Sequence, residues 1–169
     1  LNGEPSQNEE DAVVFSRAVV IDNDINARPQ SGLERASIII EFPVEGGITR
    51  FAAIFNPSVS VPKIGPVRSV RPYFLDFTED IGAMIAHSGG SPDALRAVKL
   101  LYGAVADLDE IGPLGKYFWR DPALYEPHNL FTSSTLLTKA FEDGSIVAPK
   151  KPNYTSVGWK WQERPAIEN

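Results

Sequence analysis

Cysteine is absent from the 169-residue chain. This excludes disulfides, thiolate metal sites and cysteine nucleophiles, but leaves the redox compartment open, because many exported bacterial domains of this size need no bridge. Histidine is scarce: with only His87 and His128, a zinc site would need both plus carboxylates, and their wide separation gives no ligand spacing for one. No stretch approaches the ~20 apolar residues that carry a helix across a bilayer, and the first residues have neither the basic n-region nor the apolar core of a secretion signal. Positive charge is in deficit, 16 Lys and Arg against 22 Asp and Glu for a formal net charge of −6. That argues against general nucleic-acid binding, whose affinity comes from basic side chains laid along phosphates, so any anion must be met by a local cluster. A P-loop, a dinucleotide fingerprint and a Gly-x-Ser-x-Gly elbow are also missing, so neither nucleotide class nor a hydrolase of that type is expected.

With 43% apolar residues the chain can bury a substantial core, and its length suits one domain. The pattern divides into a tether over residues 1–12, a mixed α/β domain over 13–148 and a tail over 149–169. The tether is too polar to offset its ordering entropy by burial. Ala18-Val19-Val20-Ile21 is an unbroken apolar run of the kind that fills an inner strand, closed by Asp22-Asn23-Asp24. Ile38 to Phe42 and Thr49 to Phe55 are two further strands, and Gly46-Gly47 between them marks an antiparallel return. Pro72 to Ile81 places Phe74, Phe77 and Ile81 at helical spacing behind a first-turn proline. Ala83 to Ala86 reads as a buried strand. Ser91 then caps, and Pro92 opens, a helix to Tyr102 with Gly103 as its stop. Residues 107–129 read as a long aromatic loop punctuated by Pro113, Gly115, Pro122 and Pro127. Ser134 to Glu142 is the last helix, with Gly144 beyond it, and Val157, Trp159 and Trp161 alternate as an edge strand would. The fold class is α/β, a mixed sheet flanked by helices in one domain.

Three stretches could carry chemistry. In Gly65-Pro66-Val67-Arg68-Ser69-Val70-Arg71-Pro72, two guanidinium groups precede a helix whose unpaired N–H groups also attract anions; the structural alternative pairs them with Asp76, Glu79 or Asp80. In His87-Ser88-Gly89-Gly90-Ser91-Pro92, a strand leaves the sheet through two glycines, where ligands gather in open α/β sheets and N–H groups can hold an oxyanion. His87 there is either a hydrogen-bonded core histidine or a proton shuttle. In Phe118-Trp119-Arg120-Asp121 and Pro127-His128-Asn129-Leu130, polar pairs sit among aromatics, as in a sugar or headgroup pocket or an ordinary packed loop. Acid–base work could fall to Glu41, Glu45, Asp107, Asp109 or His128.

Those three stretches, together with Ile21-Asp22-Asn23, Ala27 to Leu33 and Glu45 to Phe51, closely resemble the YerB-like bacterial lipoproteins, a family whose defining domain has no known function. The resemblance implies export, a lipid-modified cysteine upstream as the sole membrane attachment, at the outer face of the cytoplasmic membrane, and a second domain downstream. It carries no catalytic residues, but it gives weight to Arg28, Gln30, Ser31, Arg50, Arg68, Ser69, Arg71, Arg120 and Asn129 as ligand-binding positions and to Glu45, His87 and His128 as acid–base groups. Five arginines in an acidic protein point to convergence on one anionic ligand, a small molecule or cell-wall precursor. A fainter resemblance, over Arg50 to Ile111, is to the LytR-CpsA-Psr phosphotransferases. It implies a pyrophosphate clamped by Arg50, Arg68 and Arg71, with Glu45 holding a divalent metal or taking a proton. The other reading is a non-catalytic module that binds an envelope protein through Tyr117 to Tyr125.

Overall fold

A strand with an unbroken apolar run needs cover on both faces, and the first strand obtains it. In the computed structural model, which describes residues 15–101 and 105–149, β1 (Arg17–Asp22) is buried throughout and lies at the centre of a five-stranded sheet of order β2-β3-β1-β4-β5. Because successive side chains point to opposite faces, Ala18 and Val20 enter one core with Phe74, Leu75 and Ala94, while Val19 and Ile21 enter the other with Met84, Leu108, Leu137 and Ala140. Helices α1 (Pro72–Asp80) and α2 (Pro92–Leu100) cover the first face and α3 (Ser134–Glu142) the second.

The sheet is mixed. β2 (Ile38–Pro43) and β3 (Thr49–Phe55) form an antiparallel pair, and β3 runs antiparallel to β1 with Asp22 opposite Arg50. As expected, the return between β2 and β3 is tight, with both Gly46 and Gly47 at positive φ, a region that glycine enters without strain. β4 (Met84–His87) and β5 (Ala106–Asp109) continue the other side in parallel with β1. Helix α2 makes the crossover that parallel neighbours need. The Ser91 hydroxyl accepts the Ala94 N–H at its start, a cap worth about 1 kcal/mol.

β5 lies in a region read from the sequence as largely irregular. Its four residues, Ala-Asp-Leu-Asp, are too few for alternation to register, and two carboxylates lower the apparent β-propensity. Further along, Trp119–Arg120 (β6) and Leu130–Phe131 (β7) pair as a two-stranded ribbon, which folds the long loop back on itself. The tether, the end of the second helix at Tyr102 with Gly103, and the Val157, Trp159 and Trp161 alternation lie outside the described residues.

Candidate functional site

The parallel strands β1, β4 and β5 end on one edge of the sheet, at Asp22, His87 and Asp109, and β3 begins on that edge with Thr49 and Arg50. Where β1 and β4 run out, the segment from Pro66 to Val70 inserts between them. Asp22 N–H donates to Pro66 O and Arg68 N–H to Val20 O on one side, while Ser88 N–H donates to Arg68 O and Val70 N–H to Gly89 O on the other. Entry to this segment requires Gly65: its φ is 147°, and a Cβ there would lie 2.8 Å from Leu130 O and from the Phe131 ring. Gly90 plays the matching role across the gap, since a Cβ on it would meet Val70 Cγ1 at 2.8 Å.

The inserted segment brings Arg68 to Asp22, a fully buried carboxylate at the carboxyl end of the central strand. Arg68 Nε lies 2.9 Å from Asp22 Oδ2, a charge contact whose direction misses hydrogen-bond alignment. The same oxygen accepts His128 Nδ1–H at 2.8 Å, and Oδ1 accepts the Asp24 N–H at 3.1 Å. A carboxylate can only accept, so His128 Nδ1 carries a proton; Nε2 has no protein partner among the described residues. Around this centre Gln30 Nε2 donates to the Asp22 carbonyl and to Asn23 Oδ1, and Arg28 donates to the Asn23 carbonyl.

Arg50, opposite Asp22 on β3, is 5% exposed and donates from Nη1 to the Ser69 carbonyl at 2.6 Å, while its buried Nε is unpartnered. Burial first, then the like charges of Arg71 and Arg68, hold this guanidinium below its ordinary pKa, against the pull of Asp22 and Glu45. Arg50, Arg68 and Arg71 therefore share one field. Arg71 grips Glu45 with Nε and Nη2, at 2.9 and 2.6 Å, and that hydrogen-bonded fork drives the Glu45 carboxyl down to about 2. With both oxygens engaged by Arg71 and so low an affinity for protons, Glu45 is poorly placed to act as a general base near neutral pH. The partners expected from neighbouring sequence, Asp76, Glu79 and Asp80, are replaced by Asp22 and Glu45, because the segment that carries the arginines packs against strand ends rather than along its own helix.

His87 sits deeper. It is fully buried, with Nε2 2.7 Å from Asp107 Oδ1 and Nδ1 2.8 Å from the Gly89 carbonyl. Both neighbours are acceptors, so both ring nitrogens carry protons. Burial disfavours that charge, but the Asp107 hydrogen bond and charge, the Asp109 charge and the Gly89 carbonyl together raise the His87 pKa. The ring ties β4 to β5 and has no open nitrogen for a shuttled proton. The glycine turn beside it is also occupied internally: Gly89 N–H donates to Asp109 Oδ1 and Ser91 N–H to Val70 O, so these amides do not form the oxyanion cradle that the sequence suggested.

Arg120 belongs to a separate string. It donates to Asn129 Oδ1 at 2.9 Å and lies 3.6 Å from Glu110, which accepts the Ser88 hydroxyl. Of the five arginines, Arg50, Arg68 and Arg71 lie close enough for their charges to act on one another, each with its own partner, Arg28 reaches the rim through Asn23, and Arg120 stands apart. Ser69 contributes its carbonyl, and Ser31 its backbone, bridged to Gly65. Asp22 was not foreseen as a site residue. A carboxylate that closes an inner strand stands where α/β sheets place ligands, and this was the available signal. Beside His128 opens a hollow of about 360 Å³, lined by Asn26, Leu124, Tyr125, Glu126 and His128.

Fold and site together define a mixed α/β domain with a charged cluster at the carboxyl edge of its parallel strands. Residues 1–147 match the N-terminal domain described as "Protein of unknown function (DUF3048)", and the chain belongs to that family. It is 42% identical over 136 residues to "Putative lipoprotein YerB" of Bacillus subtilis (strain 168), covering 80% of this chain and 40% of that protein. The crystal structure of the YerB protein from Bacillus subtilis is similar at a TM-score of 0.74 and 37% identity, over 86% of this chain and 48% of the solved one. The chain thus spans less than half the length of either.

Proposed function

We propose that this domain is a ligand-binding module of an extracytoplasmic lipoprotein, holding an anionic, phosphate- or pyrophosphate-bearing group of a cell-wall-related molecule on Arg50, Arg68 and Arg71. The observation that supports it is the cluster of incompletely paired guanidinium groups at the sheet edge, where Asp24 also lies within reach of Arg68. Three guanidinium groups share a field with the carboxylates of Asp22 and Glu45, Arg50 has a carbonyl rather than a carboxylate as its partner, and the terminal nitrogens of Arg68 have no protein partner among the described residues. An anion can take the guanidinium donors that no protein group satisfies, and each charge-assisted hydrogen bond contributes about 1.5–3 kcal/mol.

The name of the similar Bacillus protein supports a lipid anchor in the envelope, and among the described residues no helix is long and apolar enough to cross a membrane. Calorimetry at low salt with inorganic pyrophosphate tests the binding. The R68A/R71A double variant should bind at least tenfold more weakly, and R120A, outside the cluster, should bind normally. Undiminished binding by the double variant removes the reading.

The Arg71–Glu45 fork favours a second reading, in which the arginines are structural ion pairs and the domain docks an envelope protein. With Tyr117 and Phe118 buried, its contact shrinks from Tyr117–Tyr125 to the half-buried Trp119 and the mostly exposed stretch from Arg120 to Tyr125. Absence of pyrophosphate binding by the unmodified domain would select it.

A further inference from the structure

From the hollow beside His128 we infer a saccharide subsite, in which a pyranose ring lies against Tyr125 and its anionic substituent reaches Arg68; the inference deepens the anion-binding reading and rests on it for the charged end. Tyr125 is 91% exposed and Leu124 44%, so a flat aromatic face and an aliphatic side chain line the hollow with little cover. The electron-rich face of an aromatic ring attracts the weakly positive C–H groups on one side of a sugar ring.

The polar lining suits hydroxyls. His128 Nε2 is open because Nδ1 is held by Asp22. Asn26 donates from Nδ2 to Asp24 and keeps its carbonyl oxygen, and Glu126 lies 3.8 Å from Arg120, beyond hydrogen-bond length, leaving its carboxylate able to accept. Glu126, which lines the hollow, also repels an anion from the hollow itself. The charged group of a ligand is therefore directed toward Arg68, which shares the Asp22 oxygen with His128.

Size separates this occupant from a protein partner. The hollow, about 360 Å³, falls at the small end of ligand pockets, which run about 300–1,000 Å³. A stable protein interface covers about 800 Å² on each partner, and the exposed apolar residues near the hollow are Ile25, Leu124 and Tyr125.

The test compares inorganic pyrophosphate, inorganic phosphate and N-acetylglucosamine 1-phosphate on the intact domain, Y125A and R68A/R71A, by calorimetry and by amide shifts in NMR. The sugar phosphate should bind at least fivefold more tightly than inorganic phosphate and shift the amides of Asn26, Tyr125 and His128. Y125A should abolish that advantage while pyrophosphate affinity is unchanged, and R68A/R71A should weaken all three ligands. If pyrophosphate binds through the arginines but the sugar adds nothing, or Y125A leaves its advantage intact, the saccharide subsite is wrong and the anion site stands. If pyrophosphate binding is indifferent to the arginines, the anion reading fails and takes this inference with it.

Discussion

Replacing Asp22 by Asn tests whether one buried carboxylate organises the sheet edge. The substitution keeps shape and volume, and its amide oxygen can still accept the Asp24 N–H, at 3.1 Å in the native domain. The other end becomes an NH2 group facing two donors, Arg68 Nε at 2.9 Å and His128 Nδ1 at 2.8 Å. Removing one partner from a buried ion pair costs about 3–5 kcal/mol. Two effects reduce that figure here: the side chains of Arg68 and His128 are 26% and 17% exposed, so water screens part of the lost attraction, and the carboxylate no longer has to be desolvated. The expected loss is about 2 kcal/mol. With a urea m-value of about 1–3 kcal/mol/M for a domain of this size, the unfolding midpoint followed by circular dichroism should fall by about 1 M. In a double-mutant cycle with R68M, the coupling should be about 1 kcal/mol or more. A midpoint within about 0.2 M of the parent, or no coupling, refutes the claim that Asp22 holds the cluster.

Two further outcomes follow from the titrating groups. The raised pKa of His87 makes its contribution to stability complete below the ordinary histidine value of 6.5 and lost as pH rises through the folded value. The unfolding free energy should therefore decline from pH 6.5 upward, and H87Q should flatten that decline; an equal slope in H87Q denies the buried imidazolium. The Glu45 carboxyl, held at about 2 by Arg71, should titrate there by carboxyl NMR and return to the ordinary glutamate range in R71A. A Glu45 that titrates normally in the parent shows that the fork does not persist in solution.

Much of the architecture is local, and so it was legible in the residues. The unbroken run Ala18 to Ile21 announces a strand covered on both faces, Ser91-Pro92 announces a helix start, and Gly46-Gly47 announces the hairpin return; each depends on periodicity or backbone freedom within a few residues. β5 escaped because four residues with two carboxylates form a strand only once β4 provides the neighbouring ladder. The arginines stood out as a set, yet their partners did not. Asp22 meets His128 across 106 residues of chain, and Arg71 meets Glu45 across 26. Those pairings are decided by the register of β1 against β3 and by the insertion of Pro66 to Val70 between two strand ends. The amino-acid sequence by itself thus determined the inner strands, the hairpin return and the helices, and which side chains are unusual in an acidic protein. Only the tertiary structure decided that Arg50, Arg68 and Arg71 share one field while Arg120 stands apart and His87 is sealed, because charges and hydrogen bonds act over a few ångströms of space whatever their separation along the chain.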